Sequence, residues 1–318
     1  MPLIVNGVEI ENLIVINSET GEQVEIDKFQ NSLGNVIFEK NTLKDLILNI
    51  SLTSESYMSP TLKFEKSTDS VTTIDWGDGT SETTSTAGAN AIKHTYSSLG
   101  NYDIIISDNG GYIKPTEGVL GSAFNGTDGG YPASLVGVTL GTIVREIGDK
   151  AFLNSLVKLK DVICHNGIIS IGADAFSPSA SSAPYISYMT AQDGTKYLIE
   201  ANAAFDTDTT MIDEDTVLLA DGCFKLDAVD TTLTIPRKVK YFGKLCMGGM
   251  SALKTITFNH SNVDKVILPV AGDGSGMLYF KNAKTITIYT DNETIKNYNY
   301  AADNVTATIL HLDGSAWE

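Results

Sequence analysis

Ile147-Gly148-Asp149-Lys150-Ala151-Phe152 recurs 24 residues later as Ile171-Gly172-Ala173-Asp174-Ala175-Phe176. A period of this size marks a unit that cannot bury its own apolar face, so neighbouring units must stack into one continuous core. The register continues through Ile212 to Phe224 and through Ile235 to Met247, with Cys223 and Cys246 in place of Ala and Met247 in place of Phe. Upstream, Ile113-Lys114-Pro115 followed by Val119 to Phe124 reads as a shortened first copy, for about five copies in all. Within a unit, Leu140, Ile143, Ile147, Ala151 and Phe152 are apolar, whereas Thr142, Arg145, Glu146, Asp149 and Lys150 are polar. That pattern predicts a short strand, a turn through Gly148 and a helical turn that buries the Phe. Gly148 either supplies a positive φ or lets its backbone approach a neighbour closely. Phe152, Phe176 and Phe224 are expected to be buried at equivalent positions of successive units.

These residues resemble the BspA-like leucine-rich repeats, whose unit reads Ile-Pro, Val, Ile-Gly-x-x-Ala-Phe and then a Leu opening the next strand. The match is best at Val144 to Leu159 and at Ile235 to Phe258. Residues 197 to 224 resemble a variant with a hairpin-like excursion. Only Ile235-Pro236 keeps an unmodified Ile-Pro, and the Ser/Pro/Ala-rich stretch Ser177 to Pro184 interrupts the array, so an irregular solenoid is expected there. At the end of the array, Thr290-Asp291-Asn292-Glu293 offers a capping box with Thr290 as N-cap, predicting a short helix whose apolar side covers the last repeat.

Before the repeats, Thr73-Ile74-Asp75-Trp76-Gly77-Asp78-Gly79-Thr80 is followed by His94-Thr95-Tyr96 and the alternating run Tyr102 to Ile106. Asp-Gly after an alternating strand signals a turn. This combination resembles the PKD-like β-sandwich family, whose modules act as spacers or interaction units on extracellular proteins. Residues 1 to 40 read as short strands, with a hairpin around Asn6-Gly7, and resemble the leader modules of tail-associated proteins in phages of gut Firmicutes. The expected architecture is therefore mainly β: a small β leader over 1–40, a PKD-like β-sandwich over 41–109, and an irregular BspA-like repeat solenoid with short helical turns and a C-terminal cap over 110–318.

The formal charge of −17 on 318 residues disfavours nucleic acid and anionic headgroups, because the Lys and Arg residues are scattered. No apolar run reaches the length of a membrane span, and Met1-Pro2-Leu3-Ile4-Val5 lacks a signal-peptide pattern. Since both resembled families occur outside cells, the expectation is an extracellular-surface or virion-associated protein that has either lost a signal or leaves the cell by another route, with a cytoplasmic protein as the remaining alternative.

Catalytic chemistry finds no footing in the sequence. Cys223 and Cys246 fall on the small-residue position of the repeat and Cys164 in a strand, so all three read as buried thiols without zinc-type spacing. His94 belongs to the sandwich turn, and His165, His260 and His311 have no paired acid or nucleophile along the chain. Calcium is the one cation worth testing, at Asp75 and Asp78 or at Asp206, Asp208, Asp213, Glu214 and Asp215, but neither run fits a calcium loop, and turn capping explains them. No cofactor is expected. What remains is recognition. The stretch Ser177 to Lys196 carries Tyr185, Tyr188 and Met189 among small polar residues, a mixture suited to a contact surface. The expected function is non-enzymatic adhesion, the array binding a protein or a neutral glycan on a cell surface. The alternative is a structural spacer of a phage tail or surface fibre with no ligand of its own.

Overall fold

The computed structural model describes residues 43–55, 58–120, 135–153, 157, 161–176, 186–201, 212–224, 231–272 and 274–317, together with the backbone of six strands between residues 3 and 39. The chain divides into two compact units, Met1–Leu43 and Lys44–Glu318. In the first, β1 (Leu3–Val5) pairs with β2 (Val8–Ile10), β3 (Leu13–Ile16) with β4 (Gln23–Ile26), and β5 (Lys28–Gln30) with β6 (Val36–Glu39), all antiparallel. Val5 stands opposite Val8, the register of a two-residue connection.

The second unit opens with two facing sheets. One contains β7 (Leu46–Leu52), β9 (Thr72–Asp75), β10 (Ser81–Thr84) and β12 (Gly100–Asp108), and the other β8 (Thr61–Lys66), β11 (Gly88–Lys93) and β13 (Ile113–Pro115). Alternation along the strands sends Leu46, Leu48 and Ile50, Leu62 and Phe64, and Ile104 and Ile106 into a shared core. Trp76 stacks on His94 at 4.6 Å between ring centroids, and the Tyr96 hydroxyl donates to the Trp76 carbonyl at 2.9 Å. Asp78 accepts from the Thr80 amide and lies 2.9 Å from His94 Nε2, so the two sequence motifs form one hydrogen-bonded corner.

The first of these sheets does not end with the sandwich. β14 (Leu135–Leu140) pairs antiparallel with β7 on one side and parallel with β16 (Val162–Cys164) on the other. A six-stranded sheet thus runs across the expected boundary between residues 109 and 110, within one compact unit.

Beyond β14 the chain winds into stacked coils. β15 (Glu146–Ile147) and β17 (Ser170–Ile171) form one parallel row. β18 (Ile186–Thr190), β19 (Lys196–Ala201), β20 (Thr216–Leu219) and β22 (Tyr241–Phe242) form the next. The third comprises β21 (Thr232–Ile235), β23 (Thr255–Phe258), β24 (Lys284–Thr290) and β25 (Val305–Leu310), parallel throughout. The first two rows join where the Asp221 amide donates to the Ile171 carbonyl at 2.9 Å. Inside, Phe152 and Phe176 stack at 5.1 Å.

Several sequence expectations need correction. Phe152, Phe176 and Phe224 are all buried, but the residue bridged to Phe224 on the preceding rung is Ala201, because the β18–β19 hairpin supplies a rung of its own. In the shortened first copy, Gly118 and Val119 bond to the Lys150 and Ala151 carbonyls, whereas Phe124 lies outside the described residues, as does the interruption Ser177 to Pro184. The short helix Glu293–Lys296 forms, but its N-cap is Asn292 rather than Thr290, whose hydroxyl accepts from the Asn292 amide instead. Nor does this helix close the array. It lies between β24 and β25, and β25 adds one more parallel rung after it.

Candidate functional site

The residue just before each Ile-Gly step faces outward from its short strand, while the Ile faces the core. Stacking the coils aligns Glu146 and Ser170 at these positions with Lys114, before Pro115, and Tyr241, before Phe242-Gly243, along a trough of about 430 Å3. Ile147, Ile171, Leu219 and Phe242 lie on four successive rungs beneath it, and the exposed Ile267, bridged to Tyr241, marks a fifth. At roughly 4.8 Å per rung the trough is about 19 Å long.

Close backbone approach makes the trough possible. A Cβ on Gly148 would lie 2.8 Å from the Pro115 carbonyl oxygen, one on Gly172 2.4 Å from the Asp149 amide nitrogen, and one on Gly243 2.5 Å from the Asp221 amide nitrogen. None of the three has a positive φ. The left-handed residue sits two places further on or close to it, at Gly118, Lys150, Asp174, Gly222 and Leu245, with φ between 51° and 59°. Asp149 Oδ1 accepts from the Ala173 amide at 2.9 Å and Asp221 Oδ1 from the Lys244 amide at 2.7 Å, so each carboxylate ties its turn to the next. Burial, reinforced by the Asp149 charge and opposed by the Lys244 amide, pushes the Asp221 carboxyl above the usual range. The trough therefore presents carboxylates, Lys114, Lys244 and the half-buried Tyr241 ring, with Lys240 Nζ 5.0 Å over that ring.

The residues singled out from sequence lie elsewhere. Met189 has 0% exposure, its side chain turned into the core while the next residue, Thr190, faces outward, so it offers no contact surface. Tyr188 packs against that core and its hydroxyl accepts from the Asp213 amide at 3.0 Å. Tyr185 lies outside the described residues. Glu146 and Ser170 had a signal of their own, the outward position before Ile-Gly, but only the stacking shows that they adjoin each other and Lys114 and Tyr241.

The other candidates are absorbed locally. Asp75 accepts from the Gly77 amide, and Asp213 from the Asp215 amide and Lys196, while Asp206 and Asp208 are not among the described residues. No group of three His, Cys, Asp or Glu placed to hold a metal occurs among the described residues. His165 accepts at Nδ1 from the Gly167 amide and therefore donates from Nε2 to the Val144 carbonyl at 2.8 Å. His260 makes the matching bond to the Val239 carbonyl. His311 does have a paired acid, Asp291 at 2.9 Å, which the sequence separation of the two had hidden, and its ring stacks on Trp317. Cys164, Cys223 and Cys246 are buried thiols, and burial pushes Cys164 up to about 12. No helix among the described residues is long and apolar enough to cross a membrane.

No curated protein and no solved structure matches the chain. A family model does: that of the BspA type leucine rich repeat region matches residues 131–208 and 217–311, in six copies.

Proposed function

Because the chain belongs to the BspA-type leucine-rich repeat family, whose repeats are typical of surface adhesion and binding proteins, we propose that it is a recognition protein whose array binds a protein or a glycan on a cell surface. Leucine-rich repeats of this kind are generally non-enzymatic interaction modules, and proteins with BspA-type repeats are typically surface-associated. The observation that carries the reading is the open trough across five rungs, long enough for an extended chain and lined by both hydrogen-bonding groups and an aromatic ring. A net charge of −17 steers it away from polyanions such as nucleic acid and heparin. The place of action on this reading is outside the cell, on a cell surface or on a virion.

The test is binding of the intact chain to whole cells and to a glycan array. Filling the trough with Ser170→Trp, or removing the ring with Tyr241→Ala, should abolish binding while leaving the thermal midpoint within a few degrees of wild type. Unchanged binding by both variants would overturn the trough as the recognition surface. The continuous sheet from sandwich to array also suits a rigid spacer. That second reading gains if the intact chain binds no cell or glycan.

A further inference from the structure

At its sandwich end the trough opens into a hollow of about 330 Å3, walled by Glu65 of β8, by Tyr112 and Lys114 of the first coil, and by Arg145 and Glu146 of the second. Its charges are unevenly used. Lys114 Nζ lies 3.5 Å from Glu65 and 3.9 Å from Glu146, so one cation serves both carboxylates. Lys66, also at the wall, has its ammonium buried beside Asp108 at 3.9 Å. The exposed Arg145 instead places its guanidinium 3.9 Å over the Tyr112 ring centroid, and no carboxylate among the described residues lies within ion-pair distance of it. Stacking on the ring fixes the guanidinium plane but leaves its N–H edge unused, and that edge matches a carboxylate in a bidentate fork.

We infer that this hollow is a subsite for the single carboxylate of an acidic sugar residue, held by Arg145 while the uncharged remainder of the ligand lies along the trough. The inference rests on the trough being the recognition surface. It is compatible with the net charge of −17, since the repulsion that excludes a polyanion is screened over roughly 8 Å in physiological salt, whereas the Arg145 contact is direct. Glu65 and Glu146 supply acceptors for sugar hydroxyls. A peptide that added as a further strand would need an open strand edge to pair its backbone. β13 offers none, being hydrogen-bonded to β8 on one side and to the Gly148 amide on the other.

Titration of the intact chain with glucuronate, glucose and glycylglycine, followed by amide NMR shifts, decides the matter. Glucuronate should saturate the Tyr112 and Arg145 amides, with glucose at least about ten-fold weaker, the scale of one charge-assisted hydrogen-bonded pair. Arg145→Gln should lose about the same factor, Arg145→Lys should recover part of it, and Tyr112→Phe should bind like wild type, because the ring remains. Unchanged thermal midpoints would show the variants folded. Should Arg145→Gln not fold, the salt dependence of wild-type binding replaces it, with a slope near one ion expected. Equal affinity for glucose and glucuronate, persistence in Arg145→Gln, glycylglycine matching glucuronate, no saturation, or no salt dependence would each overturn the subsite. The cell-binding loss in Ser170→Trp is a separate measurement, so the failure of one is distinguishable from the failure of the other.

Discussion

Lys150, Asp174 and Leu245 hold a left-handed backbone that Gly118 and Gly222 adopt at the matching turns. An L-residue there costs roughly 1–2 kcal/mol, and glycine gives back about 0.5–1 kcal/mol of that in unfolded-state entropy. Lys150→Gly should therefore raise stability by about 0.5–1 kcal/mol, read from the urea midpoint; a fall would mean that the turn is not strained. Gly243→Ala should act in the opposite sense, costing about 1–3 kcal/mol, because its Cβ meets the Asp221 amide and Ala220 carbonyl carbon rather than a yielding side chain. The sequence left two roles open for the glycine of the Ile-Gly step. Both roles exist in each turn, but at different residues: close approach at Gly148, Gly172 and Gly243, positive φ near the aromatic position. A repeated letter marks a constraint without saying which one, since the approaching backbone belongs to another coil.

At the scale of elements, coils are held at their corners by contacts between units. Lys196 bonds to Asp213, Lys238 to Asp215 at 2.6 Å, and Arg237 to Asp264 at 2.8 and 3.1 Å, each pair linking neighbouring coils. Arg237 holds the Asp264 carboxyl well below its usual range. These pairs are solvated and contribute little individually. Asn292 does more. Its Oδ1 caps the short helix by accepting from Thr294 and Ile295, and its Nδ2 donates to the Ser261 and Asp264 carbonyls at 2.8 Å. Asn292→Ala removes the cap and strands two carbonyls, for an expected loss of about 2–4 kcal/mol in chemical denaturation. Asn292→Asp keeps the cap but sets an anion against those two carbonyls, so it should rescue little; full rescue would show that the clamp is unimportant. Phe176→Ala, which opens the stacked Phe152–Phe176 ladder, is expected to cost roughly 3–5 kcal/mol. The helix itself was legible from the cluster of cap-forming residues Thr290 to Glu293. Its cap was not, because the choice between Thr290 and Asn292 depends on the 261–264 turn of the preceding coil.

On the scale of the whole molecule, β14 joins sandwich and array through hydrogen bonds to both β7 and β16. Residues 44–318 should therefore melt in one transition, with tryptophan fluorescence and far-UV circular dichroism coincident. Two separated transitions would mean that the shared sheet is not a cooperative link. Acid sensitivity follows from His260, buried against Phe242 and Phe258 with Nε2 donating to Val239 and with Asp264 and Arg237 nearby. Burial lowers its folded pKa below the ordinary 6.5, so the unfolded chain takes up the proton first. Stability from this group is complete above pH 6.5 and is lost as pH falls below it. His260→Gln should flatten the fall in thermal midpoint between about pH 7.5 and 5.5 relative to wild type, and an unchanged slope would assign that fall to other groups.

The amino-acid sequence alone determined the stacked-coil architecture, the burial of Phe152, Phe176 and Phe224 and the alternation of the strand Tyr102 to Ile106, because each is written as a short-range pattern: a fixed period or an alternation of two. Tertiary structure decided that Met189 points inward, that a hairpin inserts Ala201 as a rung, that one sheet unites sandwich and array, and that Lys114, Arg145, Glu146, Ser170 and Tyr241 share a trough. The physical reason is the same in every case. Periodicity fixes which face of a strand is apolar, but which coil lies against that strand is set by packing between residues tens of positions apart, and a functional surface is made of such neighbours.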